Sequence, residues 1–208
     1  MATSSGASSQ GATSVWTPAN IVTCVRIVFI PIFMVLAEFS CVVSGAVYLP
    51  VPTIAACVLY ILLSLTDKLD GYLARSRHEI TDFGKFLDPI ADKLLVFSAL
   101  LILLEQGLVS VWVVFIILFR EFLVSALRMV AGAQGVVIAA DKLGKWKTAV
   151  TMVSLCGYFV SFSAASIGFV YEAAWLLIVS CALMIAAVIL TVISGVQYFW
   201  NGRSVIFS

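Results

Sequence analysis

The chain has 208 residues, of which 62% are hydrophobic and 11% charged, and its mean hydropathy is +1.14. Soluble domains carry about 45–50% apolar and about 25% charged residues, so a soluble globular domain is excluded and an integral membrane protein remains. A formal net charge of +1 gives no bulk attraction for nucleic acid, and no nucleic-acid partner is expected.

Residues 1–15 are read as a disordered polar tail, because up to Ser14 they are almost entirely Ala, Ser, Gly, Thr and Gln. Residues 16–208 are expected to form a single membrane domain. No Lys or Arg precedes Arg26, so neither a cleaved signal nor an Arg-rich transit peptide is expected. That favours a bacterial cytoplasmic membrane over an organelle. Six apolar runs follow, approximately 21–39, 46–65, 86–104, 109–130, 149–168 and 173–198. They are too long for strands, and a helix satisfies its own backbone in lipid. The expected fold class is therefore all-α, a polytopic membrane protein of six transmembrane helices. Pro50 and Pro52 suit an entry turn before the second helix, and Asn201 with Gly202 is expected to close the last. The five cysteines lie in apolar stretches without a C-x-x-C pair and read as apolar fillers. His78, the single histidine, belongs to a polar loop.

Charge placement gives the topology. No Lys or Arg occurs between Arg26 and Lys68, between Lys93 and Arg120, or between Lys147 and Arg203. Those gaps hold three expected hairpin connections, near 40–47, 105–109 and 166–173. The basic residues gather around 68–93, around 120–147 and near the C-terminus. By the positive-inside rule, both termini and the two charged loops face the cytoplasm.

The stretch Ser64–Lys93 is the most informative. Asp67 and Asp70 are three residues apart, and Asp88 and Asp92 four apart, so on helices each pair shares a face about one turn apart. One pair ends the second span and the other begins the third. Four carboxylates converging at the membrane boundary repel unless cations neutralise them, and hard oxygen ligands suit magnesium, manganese or calcium. Two ions bridged by shared carboxylates suit phosphoryl chemistry. The bland alternative, caps and solvated loop charges, fits Asp82, which precedes Gly84 and the third span as an N-cap does. It fits the four together poorly, because carboxylates at membrane depth are expensive. Gly71 and Gly84 admit a close ligand, Ala74 continues the small face, and Arg75 is suited to pair with a phosphate.

The pattern Asp67-x2-Asp70-Gly71-x2-Ala74-Arg75-x8-Gly84-x3-Asp88-x3-Asp92 has eight fixed positions over 26 residues. It resembles the complete signature of the CDP-alcohol phosphotransferase family. That resemblance implies a six-helix, usually dimeric membrane enzyme that moves a substituted phosphate from a CDP-linked donor to an alcohol and releases CMP. It implies that Asp67, Asp70, Asp88 and Asp92 are metal ligands for two divalent cations, Mg2+ or Mn2+. By the same resemblance Asp92 is the catalytic general base, and Gly71, Ala74, Arg75 and Gly84 contact the nucleotide and diphosphate.

The acceptor is sought among the remaining polar residues. Arg120 and Glu121 fall inside the fourth apolar run, with Arg128 near its end. Glu121 and Arg128, seven apart, share a helical face, whereas Arg120 points elsewhere and needs another partner. Arg120, Arg128, Lys142 and Lys145 are expected to form a phosphate-sized basic pocket beside the metals. Lys142 and Lys147 also suit ordinary contact with anionic lipid. Asn20-Ile21-x-Thr23-x2-Arg26, Phe86-Leu87-Asp88-Pro89-x-Ala91-Asp92-Lys93, Arg120-Glu121-x6-Arg128 and Gly144-Lys145-x-Lys147-Thr148 together resemble the phosphatidylglycerophosphate synthase branch of the family. This implies CDP-diacylglycerol as donor and sn-glycerol 3-phosphate as acceptor. An inositol phosphate, or phosphatidylglycerol in cardiolipin synthesis, remains an alternative acceptor. A divalent-cation transporter is the alternative of another class. Against it, the acidic residues sit at one membrane face, and no inverted repeat with broken helices is visible.

Overall fold

The computed structural model describes residues 18–42, 47–77, 82–133 and 142–206; residues 1–17, His78 and residues 134–141 lie outside the described residues. Among the described residues there are six helices: α1 (Pro18–Ser40), α2 (Pro50–Arg77), α3 (Asp82–Glu105), α4 (Val111–Ala133), α5 (Lys142–Ser166) and α6 (Val170–Ile206). Between α1 and α2 the chain makes one small antiparallel ladder, β1 (Cys41–Val42) on β2 (Val47–Tyr48), with Cys41 opposite Tyr48. Otherwise the described architecture is helical.

The apolar runs mark only part of each helix. Pro50 stands at the first position of α2, where its missing N–H costs nothing, and α2 then runs twelve residues past Leu65 into the charged stretch. Similarly, α3 begins at Asp82 and α5 at Lys142, ahead of their apolar portions. The expected stop at Asn201–Gly202 does not occur, since α6 continues to Ile206. A single Asn or Gly costs a helix at most about 1 kcal/mol relative to Ala, too little to end one already propagated over many turns.

Two connections match their expected places closely. At each, a glycine adopts a left-handed conformation that a Cβ would strain: Gly107 with φ 71° and Gly168 with φ 95°. The Leu108 amide donates to the Leu103 carbonyl (2.9 Å) and the Gly107 amide to Leu104 (3.0 Å). Phe169 and Gly168 repeat the pattern onto Ala164 (3.0 Å) and Ala165 (3.2 Å). Both are Schellman caps, which satisfy the last carbonyls of α3 and α5 and turn the chain directly into the next helix.

Helices α1, α5 and α6 are long and apolar enough to cross a membrane by length and composition, and α2 has a shorter apolar segment over Pro50–Thr66. α1 packs on α2 and α3, α2 on α5, and α4 and α5 on α6. The centre is aromatic: the rings of Phe33, Tyr60 and Phe159 meet with centroids 4.9–5.2 Å apart and tie α1, α2 and α5 together. Leu95, Leu100, Leu103, Ile117 and Leu155 fill the space beside them. Along α5 and α6 the seam is made of small residues. Ser154 Oγ donates to the Ser180 carbonyl (2.7 Å), Ser161 Oγ to Ala173 (2.8 Å), and Gly157 lies directly against Ser180. In lipid such seams replace the hydrophobic effect with close packing and hydrogen bonds. Large apolar side chains, including Val28, Leu62, Phe119 and Ile178, instead point outward, as a lipid-facing surface requires.

Candidate active site

The two aspartate pairs lie on consecutive helices. Asp67 and Asp70 are on the C-terminal part of α2 with Gly71, Ala74 and Arg75, and Asp88 and Asp92 are on the first turns of α3 with Gly84. The side chains of Asp67, Asp70, Gly71, Ala74, Arg75, Gly84, Asp88 and Lys142 lie outside the described residues. Asp92 is the one member of the aspartate set whose side chain is described. It is half-buried and faces a cleft between α3, α4 and α5, lined also by Lys93, Glu121, Lys147, Thr148 and Thr151. Among the described residues no three His, Cys, Asp or Glu side chains converge. The donor chemistry of the full set still fits a hard divalent cation: four carboxylates, two per helix, at helical spacing on two helices joined by a short loop.

Facing Asp92 across the cleft are Glu121 and Lys147, which with Arg120 form a charged trio. Glu121 Oε1 accepts from Arg120 Nη1 at 3.0 Å and from Lys147 Nζ, joining α4 to α5. This corrects the expected pairing. Arg120 does not need a distant partner, because its long stem lets the guanidinium turn back to the neighbouring carboxylate. The guanidinium passes Gly144 of α5, where a Cβ would make ordinary contact at 3.4 Å from Nη2, and the stem lies close against Gly195 of α6, where a Cβ would come within 3.1 Å of Cγ. Arg128 in turn leaves Glu121 and reaches α6, where its Nε donates to the Tyr198 hydroxyl at 3.1 Å. Lys145 is exposed on α5. Of the four residues expected to receive the acceptor phosphate, the structure thus pairs Arg120 with a carboxylate of the cleft lining and directs Arg128 to α6.

Lys147 is the residue sequence reasoning undervalued. A lysine for which contact with anionic lipid was one reading is only 4% exposed and lies in the cleft with Asp92. The available signal was Glu121, an acid within an apolar run that had to have a cation nearby. Lys93, next to Asp92, donates to Ser125 Oγ and ties α3 to α4. On α1, Asn20, Thr23 and Arg26 are buried at three-residue spacing, a polar stripe directed into the bundle.

The match to known proteins extends over nearly the whole chain. Residues 16–195 match the model of the CDP-alcohol phosphatidyltransferase family. A CDP-diacylglycerol–glycerol-3-phosphate 3-phosphatidyltransferase of Bacillus subtilis (strain 168) is 40% identical over 187 residues, covering 86% of this chain and 92% of the relative. A probable phosphatidylglycerophosphate synthase of Mycobacterium tuberculosis (strain ATCC 25618 / H37Rv) is 37% identical over 180 residues, covering 86% and 78%. A CDP-diacylglycerol–glycerol-3-phosphate 3-phosphatidyltransferase of Rickettsia bellii (strain RML369-C) is 34% identical over 180 residues, covering 86% and 92%. With the complete aspartate signature on α2 and α3, this coverage establishes that the chain belongs to the CDP-alcohol phosphatidyltransferase family.

Proposed function

We propose that the protein transfers the phosphatidyl group of CDP-diacylglycerol to sn-glycerol 3-phosphate, giving phosphatidylglycerophosphate and CMP. The observation that carries the acceptor assignment is 40% identity across 92% of a relative that bears this activity in its name. The site chemistry supports it: an anionic acceptor approaching four aspartates needs fixed cations, and Lys147 lines the cleft with Asp92, held by Glu121, which also pairs with Arg120.

Asp67, Asp70, Asp88 and Asp92 would hold two divalent cations, Mg2+ or Mn2+, which supply neutralisation of the diphosphate and of charge developing on the CMP leaving group. Asp92 takes the proton of the acceptor hydroxyl as that oxygen attacks the phosphorus in line. Gly71, Ala74 and Gly84 leave room for the nucleotide against the helices, and Arg75 pairs with phosphate oxygens. Arg120, Arg128, Lys142 and Lys145 would receive the acceptor phosphate together with Lys147, Arg128 by turning from Tyr198. The polypeptide crosses the cytoplasmic membrane six times as a homodimer of single-domain subunits, with both termini and the site on the cytoplasmic side, where the soluble acceptor is available.

Purified protein given CDP-diacylglycerol, Mg2+ and a panel of alcohols tests this directly. CMP release should require glycerol 3-phosphate, and unphosphorylated glycerol should be a poor substitute. Preference for an inositol phosphate or for phosphatidylglycerol would reassign the acceptor within the family.

A further inference from the structure

We infer that Glu121 is the positioning residue of the acceptor subsite: paired also with Arg120, it holds Lys147 on the wall of the cleft opposite Asp92. The inference rests on the acceptor reading above and goes beyond it. Lys147 is 4% exposed and its ammonium is bound by Glu121. Arg120 approaches the same oxygen from the other side, threaded between Gly144 and Gly195. Two cations this close within apolar helices repel each other and stay together only around a shared counter-charge. One carboxylate against two cations leaves the trio with one net positive charge. A phosphate entering the cleft therefore finds a cationic wall whose geometry is already set by Glu121.

Positioning and simple charge predict opposite signs. A carboxylate acting only through its field repels an anionic acceptor, so its removal would tighten binding. A carboxylate that holds the cations in place weakens binding when it is lost. The test is steady-state CMP release by full-length protein in detergent with Mg2+, varying glycerol 3-phosphate and CDP-diacylglycerol separately. Glu121→Gln should raise the KM for glycerol 3-phosphate roughly tenfold or more, the scale of one charge-assisted bond, with the donor KM within about twofold. Lys147→Gln should do the same. The double variant Glu121→Gln/Lys147→Gln should match Lys147→Gln within about twofold, because Glu121 acts through Lys147 and coupled sites do not add. If Glu121→Gln alone fails to fold, the two Lys147 variants still decide the matter. In the single variant Glu121 keeps Arg120, and in the double variant the substituted amide oxygen at position 121 accepts from Arg120 instead. An unchanged or lowered acceptor KM in Glu121→Gln, or a double variant clearly worse than Lys147→Gln, overturns the inference alone. A wild-type enzyme that does not use glycerol 3-phosphate overturns the proposed acceptor, and this inference with it.

Discussion

At the scale of single residues, the aspartates carry the most exposed claim. Asp67→Ala or Asp88→Ala, or an excess of chelator, should abolish CMP release while the protein remains folded by circular dichroism; full activity in chelator would remove the metal assignment. Asp82 is the matched control, since it opens α3 as a cap does. Asp82→Ala should stay active, with a stability loss of about 1 kcal/mol at most expected from a missing cap. Asp92→Asn keeps shape and one oxygen ligand but loses the base. Turnover should fall about 10²–10⁴-fold with donor binding far less affected, and near-normal turnover would place the base elsewhere. The placement of the two aspartate pairs, one on α2 and one on α3, was legible in the sequence because each pair is set by spacing along a single helix. The charged trio was not. Glu121 and Lys147 are 26 residues apart, and which cation reaches which acid depends on how α4, α5 and α6 pack, including the close seat of the Arg120 stem against Gly195.

Helices and turns follow a similar division. The two Schellman turns were visible as polar interruptions between apolar runs, because a left-handed glycine after the last helical turn is a local device. Helix ends inside polar sequence were less visible. The charged flanks of α2 and α5 and the continuation of α6 are helical because propagation from an established helix is easy and Leu, Ala, Lys and Arg within them favour it. The small-residue seam between α5 and α6 gives a stability prediction. A Cβ at Gly157 would collide with the Ser180 side chain, so Gly157→Val should lower the melting temperature in detergent by forcing the two helices apart. Overpacking of this kind costs typically 1–3 kcal/mol. Gly132→Ala is the control: a Cβ there meets nothing within 4 Å, and Ala is the better helix former. Equal melting temperatures for the two variants would mean that the seam yields freely.

Over the whole molecule, the arrangement of charge implies an orientation that can be measured. The α3–α4 and α5–α6 turns are tight and contain no Lys or Arg. The other ends of these helices carry the aspartates, Lys93, Arg128, Lys145 and Lys147. Basic residues bias their loops to the cytoplasmic side, and glycerol 3-phosphate, a soluble dianion, has to be met there. Helix α6 adds a length argument. At about 1.5 Å per residue its 37 residues span roughly 55 Å, against about 30 Å of hydrocarbon. With its N-terminus at the α5–α6 turn, its far end must emerge on the side of Arg203. In a cysteine-free background, Ser110→Cys and Tyr171→Cys should therefore react with a membrane-impermeant maleimide added to intact cells. Lys145→Cys, exposed on α5, should react only after permeabilisation. Labelling of position 145 in intact cells, or protection of 110 and 171, would invert the molecule and put the aspartates on the side where the acceptor is absent.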